Sequence, residues 1–341
     1  MTVTAVPAPA SSLMPPLSEL YERVRRVIPP VEWATMTDDV EAIWRLKREK
    51  NAVVLAHNYM TPEIFHGVAD VVGDSLALAR EAQQATADVI VLAGVHFMAE
   101  TAKLLNPDKT VLIPDLRSGC SLAESITPDD VTALREAHPG VPIVTYVNTS
   151  AAVKAASDVC CTSGNAARIV ERIAAEHGTH RVLLIPDQYL ARNIAEQVRP
   201  LGIEILAFPG ACEVHERFTP ADIRTIRAEH PGVVVLAHPE CPPEVVAEAD
   251  LAGSTAQMQS YVEQRRPARV ALITECSMSD NIAAAAPDVE MIRPCNLCPH
   301  MKRNTLATIR RALETGTHEV TVDAHVAEAA RAAVARMLDL S

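Results

Sequence analysis

Eight cysteines punctuate the chain, and three of them recur in register: Cys120, Cys212 and Cys298 each lie just beyond the last short apolar run of a repeated segment. Thiolates ligate zinc and iron–sulfur centres, so the spacing bears on which of these fits. Structural zinc sites usually draw four ligands from short paired knuckles. Here only Cys295 and Cys298 have that spacing, with no matching second pair. Three thiolates on three separate segments would suit a cubane in which the protein holds three irons and leaves one open. An open iron can act as a Lewis acid on a substrate oxygen. Spacing alone also admits zinc, or thiols that are merely buried. Cys160, Cys161, Cys241 and Cys276 read as ordinary buried cysteines.

A second set of residues recurs in the same register. His57/Tyr59, Tyr146/Asn148 and His238/Glu240 follow the first apolar run of each segment. Tyr146 trails Cys120 by the same 26 positions (146 less 120) as His238 trails Cys212 (238 less 212). Imidazole, phenol and carboxylate are the groups that move protons in catalysis. A single such residue at a strand end more often satisfies loop backbone; recurrence in three equivalent slots argues for function. Ser75, Ser163 and the pair Ser254-Thr255 precede amphipathic helical runs. Helix starts attract anions through free N–H groups and the dipole, while N-capping is the structural alternative. His215, three residues after Cys212, suits a ligand shell and a structural role alike. His96, Gln188 and Cys276 share a further equivalent slot with no evident task. His138 and His230, in AHPG segments, read as helix-terminating turns.

These residues need elements that bring them together. Three copies of one unit supply them: MTDDVEAIWRLKREKNAVVLAHNY from Met36, ITPDDVTALREAHPGVPIVTYVNT from Ile126 and FTPADIRTIRAEHPGVVVLAHPEC from Phe218. Each has an amphipathic helix, a Val-rich strand and a polar triplet, followed by two more helix–strand steps. Short apolar strands alternating with helices imply βαβ units and parallel sheets. The expected architecture is α/β, with three pseudo-threefold-related three-layer α/β/α domains over 36–125, 126–217 and 218–304. Residues 1–35 read as a loosely held lead-in and 305–341 as a closing helical segment. Ligands bind beyond the C-terminal ends of parallel strands, where every cysteine and triplet above is placed.

Composition narrows the partners. The balance of 31 Lys+Arg against 43 Asp+Glu, a formal charge of −12, argues against nucleic acid or an anionic membrane surface. With aromatics at 3%, base-stacking platforms are not expected either. The start, MTVTAVPAPASSLMPPLSEL, does not read as a signal peptide, and no apolar stretch approaches a membrane span. The chain is expected to be cytosolic, with its cysteines buried, metal-bound or redox-active rather than disulfide-paired.

Taken together, HNY from His57, GDS from Gly73, GVHFMAETAKLL from Gly94, YVN from Tyr146, HPE from His238, GST from Gly253 and CPHMKRN from Cys298 resemble the quinolinate synthase family over about residues 37–312. The resemblance implies a [4Fe-4S] cluster held by Cys120, Cys212 and Cys298. It implies condensation of iminoaspartate with dihydroxyacetone phosphate to quinolinate, losing phosphate and water, with an aspartate oxidase as candidate supplier of iminoaspartate. Tyr59 and Glu240 would then be the catalytic acid and base, with His57 and His238 positioning substrate or sharing protons. Tyr146 and Asn148 would bind a substrate carboxylate. Ser254 and Thr255 would take the phosphate, and Ser75 and Ser163 carboxylates. Some members carry CxxCxxC at the last cysteine; this chain has only Cys295 and Cys298 of that set. The rival readings are a non-catalytic metal or redox sensor and a zinc hydrolase with Glu240 as base.

Overall fold

The computed structural model describes residues 14–341. Three four-stranded parallel sheets, each flanked by helices, follow one another along the chain. The first comprises β1 (Ala52–His57), β2 (Val71–Gly73), β3 (Val89–Ala93) and β4 (Thr110–Leu112). The second comprises β5 (Ile143–Tyr146), β6 (Val159–Cys161), β7 (Arg181–Ile185) and β8 (Glu204–Ala207). The third comprises β9 (Val234–Ala237), β10 (Leu251–Ala252), β11 (Arg269–Ile273) and β12 (Glu290–Ile292). The spatial orders β2-β1-β3-β4, β6-β5-β7-β8 and β10-β9-β11-β12 are one topology used three times. The α/β class and the repeated βαβ unit therefore hold.

The repeat has a concrete physical signature. An aspartate immediately before the second strand of each unit accepts a backbone N–H of the first strand: Asp70 from Val54 at 2.8 Å, Asp158 from Ile143 at 2.7 Å and Asp250 from Val235 at 2.8 Å. Each aspartate also pairs with a cation 23 residues upstream on the preceding helix: Lys47, Arg135 and Arg227. The Thr-Pro-acid segments become capping boxes. Thr127 and Asp130, and likewise Thr219 and Asp222, exchange bonds around a proline at the start of the helix. His138 and His230 end those helices, and Gly140 and Gly232 follow at φ 78° and 81°, where glycine avoids the Cβ clash.

Two expectations fail. The loosely held lead-in is, from Leu17 onward, part of the fold. Helices Leu17–Val24 and Pro30–Glu49 bury Leu20, Val24 and Trp33 in the main core. The Pro-rich composition around these residues hid that packing; the first thirteen residues lie outside those described. The expectation that no cysteines pair also fails, because Cys276 and Cys295 form a disulfide with Cα atoms 4.9 Å apart. Parallel pairing of Glu275 with Asn296 brings the two segments together, a proximity that cysteine count and compartment do not reveal. At the other end, helix Ala324–Leu340 buries Ala330, Val334 and Met337, and its Arg331 donates to the Leu104 carbonyl of the first unit. Among the described residues, no helix is long and apolar enough to cross a membrane.

The three Asp–cation pairs differ in burial. Lys47 and Asp70 are almost fully enclosed, and the Lys47 ammonium also lies 3.5 Å from the Trp44 ring centroid. Arg227 and Asp250 are 34% and 45% exposed. Removing one partner of a buried pair strands a charge, whereas a solvated pair contributes little. Lys47→Met should therefore destabilise the protein by about 3–5 kcal/mol, and Arg227→Met by about 1 kcal/mol or less. Denaturant midpoints measured side by side check this; equal losses would refute it.

Candidate active site

The strand ends deliver the candidate residues to one place. His57 ends β1, Tyr146 ends β5 and His238 follows β9, with their triplet partners Tyr59, Asn148 and Glu240 two residues on. The loops after β4, β8 and β12 carry Cys120, Cys212 and Cys298. All nine border a single cavity, with Ser75, Ser163 and Thr255. The slot of His96, Gln188 and Cys276 now has a role. The backbone N–H of His96 donates to Ser118 O at 2.7 Å, and that of Gln188 to Gly210 O at 2.8 Å. Glu275 pairs with Asn296 in the third unit. Each contact fixes the residue two before a cavity cysteine, so this slot anchors the cysteine loops.

Glu240 is the electrostatic centre. Burial works against its charge, but the hydrogen bonds that it accepts from His215 and Tyr146 hold the carboxyl below its usual range. Tyr146 Oη donates to Oε1 at 2.6 Å, and Asn148 Nδ2 lies 3.4 Å from the same oxygen. His215 Nδ1 stands 2.7 Å from Oε2. The other face of that ring continues the chain: Nε2 is 2.9 Å from Thr274 Oγ1, which is 2.6 Å from Tyr59 Oη. Tyr59 and Glu240 are thus joined through Thr274 and His215. Burial first, and then the Glu240 charge, push the Tyr59 and Tyr146 phenols well above 10, so both keep their protons.

His57 and His238 are built alike. Nδ1 of His57 accepts the N–H of Tyr59 at 3.2 Å, and Nδ1 of His238 accepts that of Glu240 at 3.3 Å. Burial lowers their pKa values to about 4 and about 3. Both rings are therefore neutral, with the proton on Nε2. The 3.9 Å approach of His238 Nδ1 to Glu240 Oε2 is accordingly no ion pair. His215 and His238 stack with centroids 4.6 Å apart.

The helix starts divide into two kinds. Ser75 opens its helix behind the N-cap Asp74, and its residue borders the cavity. Ser163 also borders the cavity, but its helix begins later, at Ala166. Thr162 to Asn165 form a turn in which Asn165 Oδ1 accepts the Thr162 N–H at 2.6 Å. Ser254 does not border the cavity; its hydroxyl caps helix Thr255–Arg265 in a capping box with Gln257. Thr255 Oγ1 accepts from Asn58 Nδ2 at 2.9 Å while facing the cavity. No Lys or Arg lines the cavity among the described residues, so neutral donors must receive any anion. Sequence reasoning had no signal for Thr274, which belongs to no recurring triplet, and left His215 undecided.

The sulfurs test what metal could fit. Burial pushes the Cys120 thiol up to about 12 and raises Cys212 and Cys298 as well, so ligation must release their protons. Among the described residues, the only three-ligand group with all atoms within 4.8 Å of one another is Cys212, His215 and Glu240. The three cavity sulfurs are therefore too far apart for one zinc, whose two bonds of about 2.3 Å reach about 4.6 Å at most. A polynuclear centre spans such a gap. Cys160, Cys161 and Cys241 are fully buried free thiols outside the cavity lining.

The family model described as "Quinolinate synthetase A protein" matches residues 41–339. The chain is 67% identical over 328 residues to quinolinate synthase 1 of Mesorhizobium japonicum, covering 96% of this chain and 99% of that protein. It is 68% identical over 323 residues to quinolinate synthase of Agrobacterium fabrum, covering 95% and 92%. With quinolinate synthase of Xylella fastidiosa it shares 69% over 301 residues, covering 88% and 87%.

The two kinds of serine separate experimentally. Ser254→Ala should cost about 1 kcal/mol of stability as a lost cap and leave the affinity of a malonate probe unchanged. Ser163→Ala should leave the melting temperature unchanged and weaken malonate about tenfold or more, as loss of a hydrogen bond to a charged ligand does. Calorimetric titration and thermal unfolding of both variants read the two effects; the reverse pattern would refute the division.

Proposed function

The chain belongs to the quinolinate synthase family, and on that premise we propose that it condenses iminoaspartate with dihydroxyacetone phosphate to quinolinate, losing phosphate and water. We place the reaction in the cytosol, with an aspartate oxidase as the source of iminoaspartate. The observation that carries this reading is the single cavity where three thiols face a hydrogen-bonded chain from Tyr59 to Glu240. Cys120, Cys212 and Cys298 would hold a [4Fe-4S] cluster, in keeping with sulfurs spread too widely for one ion. When bound, the cluster would supply an open iron as Lewis acid for a substrate oxygen.

The remaining chemistry falls to the side chains. Iminoaspartate brings two carboxylates and dihydroxyacetone phosphate one phosphate. The Nε2–H groups of His57 and His238 and the hydroxyls of Ser75, Ser163 and Thr255 are neutral donors around the cavity. Asn148 Oδ1 is buried without a protein partner and offers an acceptor for a substrate N–H. Converting a hydroxyketone to an aldehyde requires a base at one carbon and an acid at its neighbour. Glu240 is ionised and Tyr59 protonated, as those roles need. His215 donates its Nδ1–H to Glu240 and accepts from Thr274 on Nε2, so the chain keeps the base ionised and fixes the Tyr59 phenol in place.

The zinc-hydrolase alternative fits less well. An ion at Cys212 and His215 would take Glu240 as its third ligand, removing the carboxylate that hydrolysis needs as base. A pure sensor would have no use for the Tyr59–Glu240 chain.

Anaerobically prepared protein should carry iron and sulfide and form quinolinate from the two substrates. Cys298→Ala should lose both, while Cys295→Ala keeps both. Tyr59→Phe and Glu240→Gln should retain the cluster and lose on the order of 10²–10⁴ in rate. Iron and sulfide analysis with chromatographic quinolinate assay checks each point. A fully loaded parent protein that makes no quinolinate, or a colourless zinc protein, would overturn the reading.

A further inference from the structure

Of the three cavity cysteines, Cys298 is tied to a buried ion pair. Cys120 directly precedes helix Ser121–Glu124, whose Glu124 N–H donates to the Cys120 carbonyl at 3.0 Å. Cys212 opens a turn in which the Glu216 N–H donates to its carbonyl at 3.0 Å. The Cys298 carbonyl likewise accepts from the Lys302 N–H, at 3.2 Å, within the short 3₁₀ turn Met301–Arg303. A buried carboxylate holds this loop as well, beside the Cys276–Cys295 disulfide. Glu275, with no solvent exposure, accepts the Lys302 ammonium on Oε1 at 2.8 Å, with the Cys298 N–H 3.4 Å from the same oxygen. Its Oε2 accepts the Ser277 N–H at 2.9 Å.

Lys302 reaches across to the acid–base chain. Its backbone N–H closes a turn on the Cys298 carbonyl at 3.2 Å. Its ammonium donates to the Tyr59 carbonyl at 2.8 Å and to Ser277 Oγ at 2.7 Å. With Glu275, these contacts occupy all three ammonium hydrogens. Tyr59 is therefore held at both ends by adjacent residues of one strand end: its phenol by Thr274 and its carbonyl through Lys302 by Glu275. A compact ammonium suits three divergent acceptors better than a planar guanidinium.

We propose that Lys302 is a positioning residue: paired with Glu275, it ties the Cys298 loop to Tyr59, so that the third thiol and the acidic phenol are placed by one contact. The inference rests on the assignment of Cys298 as ligand and Tyr59 as acid. It differs from that assignment in predicting that one cation, touching neither substrate nor cluster, couples metal retention to the tyrosine's contribution.

Lys302→Met and Glu275→Gln test it. The amide of Glu275→Gln cannot accept from Ser277 on one side and from Lys302 and Cys298 on the other. Both reconstituted variants should therefore release iron to a strong chelator about tenfold faster than the parent or more, in line with outer-shell losses at metal sites. This reading needs no turnover and holds whatever the product. In the quinolinate assay, Lys302→Met should lower kcat with KM unchanged. The Tyr59→Phe/Lys302→Met double variant should be no slower than Tyr59→Phe alone, because the two residues act as one unit. Release at the parent rate in both single variants overturns the proposal, as does a Lys302→Met loss that multiplies fully with that of Tyr59→Phe. If Lys302→Met fails to fold, the release rate of Glu275→Gln decides alone: accelerated release supports the coupling and parent-like release refutes it.

Discussion

A carboxylate cut off from water stays ionised only if the protein brings donors to it, and Glu240 imposes that constraint on the whole molecule. Its own unit cannot meet it. Tyr146 and Asn148 come from the end of β5, and His215 from the connection between the second and third sheets. Orienting His215 takes Thr274 at the end of β11, and Thr274 in turn holds Tyr59 beyond β1. The site exists only where the strand ends of three sheets meet at one cavity. The contacts between units reinforce this: Asn193 donates to Pro239 O and Cys241 O, and Asn281 to Asn58 O and Met60 O.

The scaffold is repetitive and the chemistry is not. Backbone positions recur faithfully, as in the Asp–cation pairs and the anchors two residues before each cysteine. Side chains in equivalent slots diverge, giving two neutral imidazoles, two phenols, one amide and one carboxylate. Neutral donors rather than cations surround the cavity, and its carboxylates are Asp74, Glu213 and Glu240. The contact of Glu275 with Lys302 ties the cysteine loop of the third unit to the backbone of Tyr59 in the first.

How much was legible in the sequence follows from how local each signal was. Strand and helix succession, the capping boxes at Thr127 and Thr219 and the turns at Gly140 and Gly232 depend on neighbours a few residues away, and periodicity exposes them. The register of Cys120 with Tyr146 and of Cys212 with His238 survives because the repeat preserves spacing. Thr274 could not be found that way, since its significance lies in contacts with residues 59 and 215 positions removed. The Cys276–Cys295 disulfide likewise depends on tertiary pairing. Ser254 shows the opposite case: a residue that fits a functional slot by spacing yet spends its hydroxyl on its own helix. The helices of the lead-in escaped because their apolar residues are stabilised by tertiary packing, helix Leu17–Val24 against helix Ser277–Ala285 of the third unit, rather than by their own propensity.

The central claim is that Tyr59, Thr274, His215 and Glu240 work as one hydrogen-bonded unit that places the acid and keeps the base ionised. Thr274→Val tests it most directly, because it removes only the bridging hydroxyl from a fully buried position and touches neither a cysteine nor the two ends of the chain. The measurement is quinolinate turnover alongside iron and sulfide content. Full cluster content with a rate lower by on the order of 10² or more is the predicted result. Turnover close to that of the parent protein at full cluster content would contradict the account.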